Sequence, residues 1–119
     1  MNFSEYQRQA IVTKKKWDTK AEEIAYCGLG LAGESGEVVD ILKKHFSGSK
    51  PLFTERDNAI AGDIDDEKME KLKQEIGDTM WYIAATCDAF GFDMGEIANL
   101  NIEKLRKRHG DSWSGYGKR

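Results

Sequence analysis

Two pairs of carboxylates are spaced so that each pair projects from one face of a helix. Glu34 and Glu37 lie three residues apart, and so do Glu75 and Asp78. Because residues three or four apart share a helix face, two such helices packed together can bring four carboxylates to one place. Like charges about 6 Å apart repel by roughly 2–3 kcal/mol at an effective dielectric near 20, a cost that a bound divalent cation reverses. The spacing therefore predicts a metal site formed by all four side chains.

The ligand types indicate which metal such a site would hold. All four side chains offer hard oxygen atoms, and no histidine stands at a matching spacing. This donor set favours magnesium, with manganese as the second choice, and counts against zinc or a di-iron centre. The alternative is that the pairs are chance spacings on solvated helix faces, since 33% of the chain is charged.

Four glycines interrupt the helical pattern around the first pair, in the segment GLGLAGESGE: Gly28, Gly30, Gly33 and Gly36. Inside a helix each costs up to about 1 kcal/mol relative to alanine. Close approach of another helix or of a ligand would explain them, and it would turn the neighbouring glutamates toward the bundle interior. The second pair, in KQEIGDTMWYIAA, also borders apolar positions. Both pairs are therefore expected beside the core.

Positive charge follows one face of the last predicted helix. Asn101, Lys104 and Arg108 fall at intervals of three and four residues. This cationic stripe would suit the phosphates that magnesium only partly neutralises. The alternative is a solvated face paired with Glu103. For the lysine run at 14–16 we favour the solvated interpretation.

Three aromatic side chains are candidate base contacts, because every nucleobase offers a π-face for stacking: Trp17, Trp81 and Tyr82. Two of them, Trp81 and Tyr82, lie three and four residues after the second acidic pair. The alternative is that all three simply pack in the core, as most aromatics in helical register do.

Apolar residues recur at intervals of three and four, and the chain has one proline, so we predict an all-α fold. The predicted helices cover Phe3 to Trp17, with Ser4 as N-cap, then about 19–46, 66–90 and 94–109. The mixed, glycine-punctuated segment 47–65 predicts a long loop, and 110–119 a flexible tail. Four helices with one long connection indicate a four-helix-type bundle.

Composition limits the remaining possibilities. A chain of 119 residues is the size of one domain, so 1–119 is treated as a single domain. A net charge of −3 gives no broad basic field, which counts against duplex nucleic acid as a partner. The absence of a long apolar window or a secretion signal predicts a cytoplasmic protein without a membrane partner. Cys27 and Cys87 are expected to be reduced and buried.

Three segments, in this order, resemble the MazG-type members of the all-α nucleoside triphosphate pyrophosphohydrolase superfamily: GLAGESGEVVDILKK, EIGDTMWYIAA and NIEKLRKRHG. The resemblance spans most of the chain and implies a helical bundle, magnesium dependence and obligate assembly, as a homodimer or homotetramer. The four carboxylates match the family's two acidic motifs, and the cationic stripe matches its phosphate-side helix. One departure is that the stretch between Glu37 and Glu75 is longer than the family's usual spacing.

The resemblance also implies a reaction. A metal-activated water would attack the α-phosphorus of a nucleoside triphosphate and release a nucleoside monophosphate and pyrophosphate, with Glu37, or else Glu34, acting as the base. Two alternatives remain open. One is a non-catalytic helical module that binds a nucleotide or a partner, against which the intact set of four carboxylates argues. The other is a phosphohydrolase that releases inorganic phosphate.

Overall fold

The computed structural model describes residues 1–110, and four helices dominate it. In chain order the elements are α1 (Phe3–Ala10), a short 3-10 helix (Ile11–Thr13), α2 (Lys20–Phe46), β1 (Phe53–Arg56), β2 (Ala59–Ile64), α3 (Asp66–Ala89) and α4 (Met94–His109). The predicted helical character is confirmed, and a small two-stranded sheet is added to it. Of the predicted tail at 110–119, residues 111–119 lie outside the described residues.

The long helices begin and end where side-chain caps and glycine place them. The side chains of Thr19, Asp65 and Asp93 each accept a hydrogen bond from a backbone N–H in the first turn of the following helix. Such a cap satisfies one of the backbone donors that a helix start leaves unpaired. Gly110, at φ +47°, ends α4. The bounds of α2, α3 and α4 therefore lie close to those expected from the sequence.

The N-cap of α1 differs from the prediction. Asn2, not Ser4, caps the helix, because its Oδ1 accepts the backbone N–H of Glu5 at 2.8 Å. The Ser4 hydroxyl instead donates to Oδ1 of Asp93 at 2.6 Å, which ties the first helix to the start of α4.

The predicted length of the first helix was also wrong. It stops at Ala10, and the chain passes through the 3-10 turn into extended backbone at Lys14. The residues of the turn, Ile11–Thr13, are three consecutive β-branched residues, which restrict χ1 in a helix and lower its stability. Trp17 therefore lies beyond the first helix and not on it.

The segment 47–65, predicted as a loop, contains the antiparallel hairpin of β1 and β2. Asp57 and Asn58 connect the strands, both at positive φ, as a two-residue hairpin turn requires. Gly62 also has positive φ (+70°), close to an irregularity in register. The hairpin is joined to α2, because Nδ1 of His45 accepts the backbone N–H of Leu52 at 2.9 Å, and Leu52 is buried.

The core lies between α2 and α3 and is built from small side chains. Cys27 packs with Ala85 and Ala89, and Trp81 covers this cluster. A second cluster of Ala84, Cys87 and Met94 joins α3 to α4 and receives Tyr6 and Ala10 from α1. Both cysteines are free and buried, as expected from the sequence. Small residues allow the two long helices to approach closely, so the positions of their side chains are tightly fixed.

Lys14 corrects the interpretation of the lysine run as solvated. Its side chain is only 6% exposed, and its Nζ pairs with Glu23 and, at 2.8 Å, with Asp88. It also donates to the carbonyl of Ala85 at 3.2 Å. Burial lowers the pKa of Lys14, but the hydrogen bonds and charges of Asp88 and Glu23 outweigh it, so the pKa is raised. Lys14 therefore joins the segment after α1 to both long helices.

Candidate metal centre

Three of the four predicted metal ligands meet between α2 and α3. Glu34 on α2 and Glu75 and Asp78 on α3 each place a carboxylate oxygen within 4.8 Å of the others. We call these three residues the acidic cluster. Glu34 and Glu75 are half-buried, whereas Asp78 is exposed, so the cluster opens to solvent on one side. The fourth predicted ligand, Glu37, is exposed and lies outside this group of oxygens.

The electrostatics of Glu34 reflect this crowding. Burial raises the pKa of Glu34, and the hydrogen bond with Glu75 and the negative charges of Asp78, Glu75 and Glu37 raise it further. Glu37 is therefore near enough to act on Glu34 by its charge. A carboxylate that shares its site with other carboxylates holds a proton more strongly unless a cation replaces it.

The donor set fits a hard divalent cation. Among the described residues the cluster offers carboxylate oxygens without histidine or cysteine, and oxygen ligands are those that magnesium and manganese prefer. Magnesium commonly uses few protein carboxylates and keeps other positions for water and substrate phosphates. Three carboxylates that open to solvent on one side suit that mode of binding.

An aromatic wall lies beside the acidic cluster; its members are Trp17, Tyr26, Trp81 and Tyr82. Trp81 and Tyr82, together with Glu34 and Asp78, line a cavity of about 340 Å³. The rings of Trp81 and Tyr82 meet edge to face, with centroids 5.0 Å apart. The Tyr82 hydroxyl donates to the Tyr26 hydroxyl at 3.0 Å. Two of the predicted base contacts are therefore neighbours of the carboxylates.

Trp17, the third predicted base contact, reaches the cavity only through another ring. It packs on Tyr26 with a centroid distance of 4.8 Å. On its own side Nζ of Lys15 lies 4.4 Å from the ring centroid. Trp17 is thus the member of the aromatic wall that packs behind Tyr26, and it is not among the residues that line the cavity.

The cationic stripe is not brought to the acidic cluster. Asn101, Lys104 and Arg108 are all exposed, and the helix that carries them, α4, packs mainly against α1. Among the described residues no hydrogen bond or ion pair joins the stripe to Glu34, Glu75 or Asp78. Its proposed contact with phosphate stays a prediction.

Tyr26 was missed in the sequence, whereas Gly30 was one of the four glycines at which close approach of a helix or ligand was expected. Tyr82 has a pKa raised to about 12, first because of its hydrogen bond with Tyr26 and then because of burial. Gly30 lies against the Tyr82 ring. Their spacing was a usable signal, because Tyr26, Gly30 and Glu34 follow one another at intervals of four and so share one face of α2.

Comparison with known proteins finds a family and a relative that resemble this chain. The profile of the family described as "MazG nucleotide pyrophosphohydrolase domain" matches residues 24–113. The chain is also 30% identical over 87 residues to the Gene 37 protein of Mycobacterium phage L5, an alignment that covers 73% of this chain and 67% of the phage protein. No solved structure matches significantly.

The chain belongs to the MazG nucleotide pyrophosphohydrolase domain family. The matched residues include the acidic cluster, the two tyrosines and the cationic stripe. Across residues 1–110, no helix combines the length and the apolar character that a bilayer-spanning segment requires.

Proposed function

We propose that the protein is a magnesium-dependent nucleoside triphosphate pyrophosphohydrolase, which cleaves ribo- or deoxyribonucleoside triphosphates to the monophosphate and pyrophosphate. The observation that carries the proposal is the acidic cluster, whose three carboxylate oxygens lie within 4.8 Å of one another. Family membership supports the class of reaction. The oxygen-only donor set supports the choice of metal.

We assign separate roles in this reaction to the carboxylates that bind the metal and to the one that acts as the base. Glu34, Glu75 and Asp78 would hold magnesium, which neutralises phosphate charge and lowers the pKa of water when bound. Glu37, outside the cluster but within range of its charge, accepts the proton of the attacking water. As the water oxygen bonds to the α-phosphorus, the bond to the bridging oxygen breaks and pyrophosphate leaves. Glu34, whose pKa is raised by burial and by the neighbouring carboxylates, is the second candidate for this role.

The aromatic wall supports a nucleotide as the substrate. Trp81 and Tyr82 line the same cavity as Glu34 and Asp78, so a base stacked on these rings would have its phosphates near the metal. Stacking of a base on an aromatic side chain contributes about 1–3 kcal/mol and tolerates different bases.

We also propose that the chain assembles with further copies of itself. Large apolar side chains are exposed on neighbouring helices, including Ile76 at 46% and Ile83 at 37% on α3 and Leu100 at 54% on α4. A homodimer, or a homotetramer built from dimers, would cover them. In the single chain the cationic stripe does not approach the acidic cluster. Assembly would allow the stripe to contact the phosphates of a substrate.

The proposed activity is tested by incubating the purified chain with a panel of nucleoside triphosphates and magnesium, and by separating the products chromatographically. We expect nucleoside monophosphate and pyrophosphate, no turnover in EDTA, and a loss of at least about 100-fold in kcat/KM for Asp78→Asn. Glu70→Gln is the matched control, since Glu70 is an exposed carboxylate on the same helix.

Other products would identify the rival functions. Nucleoside diphosphate and inorganic phosphate would replace the proposal with a phosphohydrolase that attacks the terminal phosphate. Nucleotide binding without turnover would indicate a regulatory module. If Asp78→Asn and Glu70→Gln retained equal magnesium-dependent activity, the acidic cluster would not be the metal site.

A further inference from the structure

The cavity beside the acidic cluster depends on a glycine that does not touch it. Gly30 lies on α2, four residues before Glu34, and faces the Tyr82 ring on α3. A Cβ at position 30 would lie 2.5 Å or less from three carbons of that ring. Such an overlap cannot be relieved by a small adjustment, because the ring is rigid and carries no flexible end.

The other glycines of the same helix show that this contact is specific. A Cβ added at Gly28, Gly33 or Gly36 would meet no other described part of the protein within 4 Å. Of the four glycines that interrupt α2, only Gly30 is required by close approach of another element. Replacing Gly28 by alanine would instead remove a helix-weakening residue at an exposed position.

Two further residues, Tyr26 and Trp81, contact the Tyr82 side chain. Its hydroxyl is fixed by Tyr26, at 3.0 Å. Trp81 packs on the Tyr82 ring edge to face. The indole N–H of Trp81 donates to the carbonyl of Ala10 at 3.1 Å and to the Thr13 hydroxyl at 2.9 Å. The ring is thus contacted by α2 on one side and, through Trp81, connected to the end of α1 and the 3-10 turn on another.

We propose that Gly30 is a positioning residue for the substrate. Because Gly30 has no side chain, the Tyr82 ring packs directly on α2 there, and Tyr26 holds the Tyr82 hydroxyl. This contact, which we call the seat of Tyr82, shapes the part of the cavity that takes the nucleobase. This inference rests on the proposed function, in that the ligand is a nucleotide. It assigns to Gly30 and Tyr26 an effect on base binding and none on the phosphates, which are bound at the acidic cluster.

A ligand that lacks a base distinguishes an effect on base binding from an effect on phosphate binding. Inorganic triphosphate carries the phosphates of the substrate and lacks the base, so it serves as a competitive inhibitor that does not touch the aromatic wall. For Gly30→Ala we expect the KM of the best nucleotide in the panel to rise about tenfold, within the range that loss of base stacking produces. The inhibition constant of inorganic triphosphate and kcat should stay within about threefold of the wild-type values.

Gly28→Ala is the matched control, and it should leave KM, kcat and the inhibition constant unchanged. Near-ultraviolet circular dichroism gives a readout that is independent of activity, since it reports the packing of aromatic rings. Gly30→Ala should alter this spectrum, whereas Gly28→Ala should not. In a Tyr82→Ala background the ring is gone, so Gly30→Ala should add little further increase in KM.

Several results would overturn the inference. Equal behaviour of Gly30→Ala and Gly28→Ala would show that the seat has no effect on binding. An equal loss of affinity for nucleotide and inorganic triphosphate would show general damage. If Gly30→Ala does not fold, Tyr26→Phe, which keeps the ring and removes the hydrogen-bond partner, should still raise the nucleotide KM selectively, and no change there would overturn the proposal.

Failure of the proposed function gives a different pattern. If the wild-type chain binds nucleotides without cleaving them, dissociation constants replace KM in the same comparison, and only the catalytic proposal fails. If it binds inorganic triphosphate but no nucleotide, the base-binding role of the seat is wrong.

Discussion

Glu34 is half-buried beside two other carboxylates, so in the metal-free protein its ionised form is disfavoured. Burial comes first among the causes that raise its pKa, followed by Glu75, Asp78 and Glu37. Because the pKa in the folded state lies above that in the unfolded state, stability is highest below the unfolded pKa and falls as pH rises through the folded one. The residue that we propose as a metal ligand therefore opposes folding when no metal is bound.

The Glu34→Gln substitution should separate the effect of Glu34 on folding stability from its proposed effect on metal binding. Without metal at neutral pH, we expect the free energy of unfolding to rise by on the order of 1 kcal/mol, because a partly exposed like-charge contact is removed. The gain should disappear at acid pH, where Glu34 is protonated in both states. Magnesium should raise the melting temperature of the wild type and not of the variant.

Thermal unfolding in EDTA and in magnesium, at neutral and acid pH, checks this prediction. The Glu70→Gln variant, which alters an exposed carboxylate outside the cluster, should follow the wild type in all conditions. A lower stability of Glu34→Gln in EDTA would contradict the expected repulsion.

The stability that Glu23 contributes depends on pH in the opposite direction. Hydrogen bonds from Lys14 and Lys20 lower its pKa despite partial burial. Stability from this pair is present above the unfolded pKa of a glutamate and is lost as pH falls through the lowered folded pKa. We expect Glu23→Gln to cost about 2 kcal/mol at neutral pH, as for a hydrogen bond to a charged group.

Urea unfolding across the acid range tests the Glu23 prediction. The difference between Glu23→Gln and the wild type should shrink as pH falls below the folded pKa of Glu23, since the carboxyl is then neutral. The exposed Asp18→Asn variant serves as control and should show no such convergence. A constant difference at every pH would show that the ion pair with Lys14 does not cause the loss.

At the scale of elements, local signals in the sequence predicted the long helices well. Apolar residues at intervals of three and four located them. Their N-caps, Thr19, Asp65 and Asp93, were not singled out in the sequence. The hairpin was missed because its turn is formed by Asp57 and Asn58 and not by the Asn-Gly or Asp-Gly pairs that most strongly signal such turns. Its strands also remain largely exposed and lack a clear alternation of apolar and polar residues.

The sequence predicted which site residues share a face of one helix, and it did not predict which residues of the two helices meet. Spacing within α3 correctly brought Glu75 and Asp78 to one face, and the same argument placed Glu34 on a face of α2. The rotation of α2 against α3 decides which residues meet, and this brings Gly30 to Tyr82 and leaves Glu37 at the edge. Packing between helices, and not local spacing, determines those contacts.

The hairpin makes a separate prediction at this scale. Gly62 has φ +70°, and a Cβ there would overlap Oγ1 of Thr54, so Gly62→Ala should destabilise the hairpin by about 1–2 kcal/mol. Asn58→Gly, which suits the positive φ of the turn, should strengthen it. Hydrogen exchange should show faster exchange of β2 amides in Gly62→Ala and slower exchange in Asn58→Gly, with α3 unchanged. Loss of protection throughout α2 and α3 would show that the hairpin is instead part of the main folding unit.

At the scale of the whole molecule, the single chain is too open for its length. Its radius of gyration is 17.9 Å, whereas a compact chain of this size should have a value of about 14 Å. The fully buried side chains are mostly small, and many large apolar residues stay exposed. An exposed apolar surface of this kind usually marks a place where another protein packs.

Assembly can be tested with charges placed on that surface. Light scattering should give the wild type a mass of at least twice the 13.5 kDa of one chain, while Ile76→Asp and Ile83→Asp should shift it toward one chain, since a buried unpaired charge is costly. Val12→Asp, at an exposed position on the 3-10 turn, should leave the mass unchanged. A wild-type mass of 13.5 kDa would contradict the proposed assembly, and the cationic stripe would then have to act, if at all, from within the single chain.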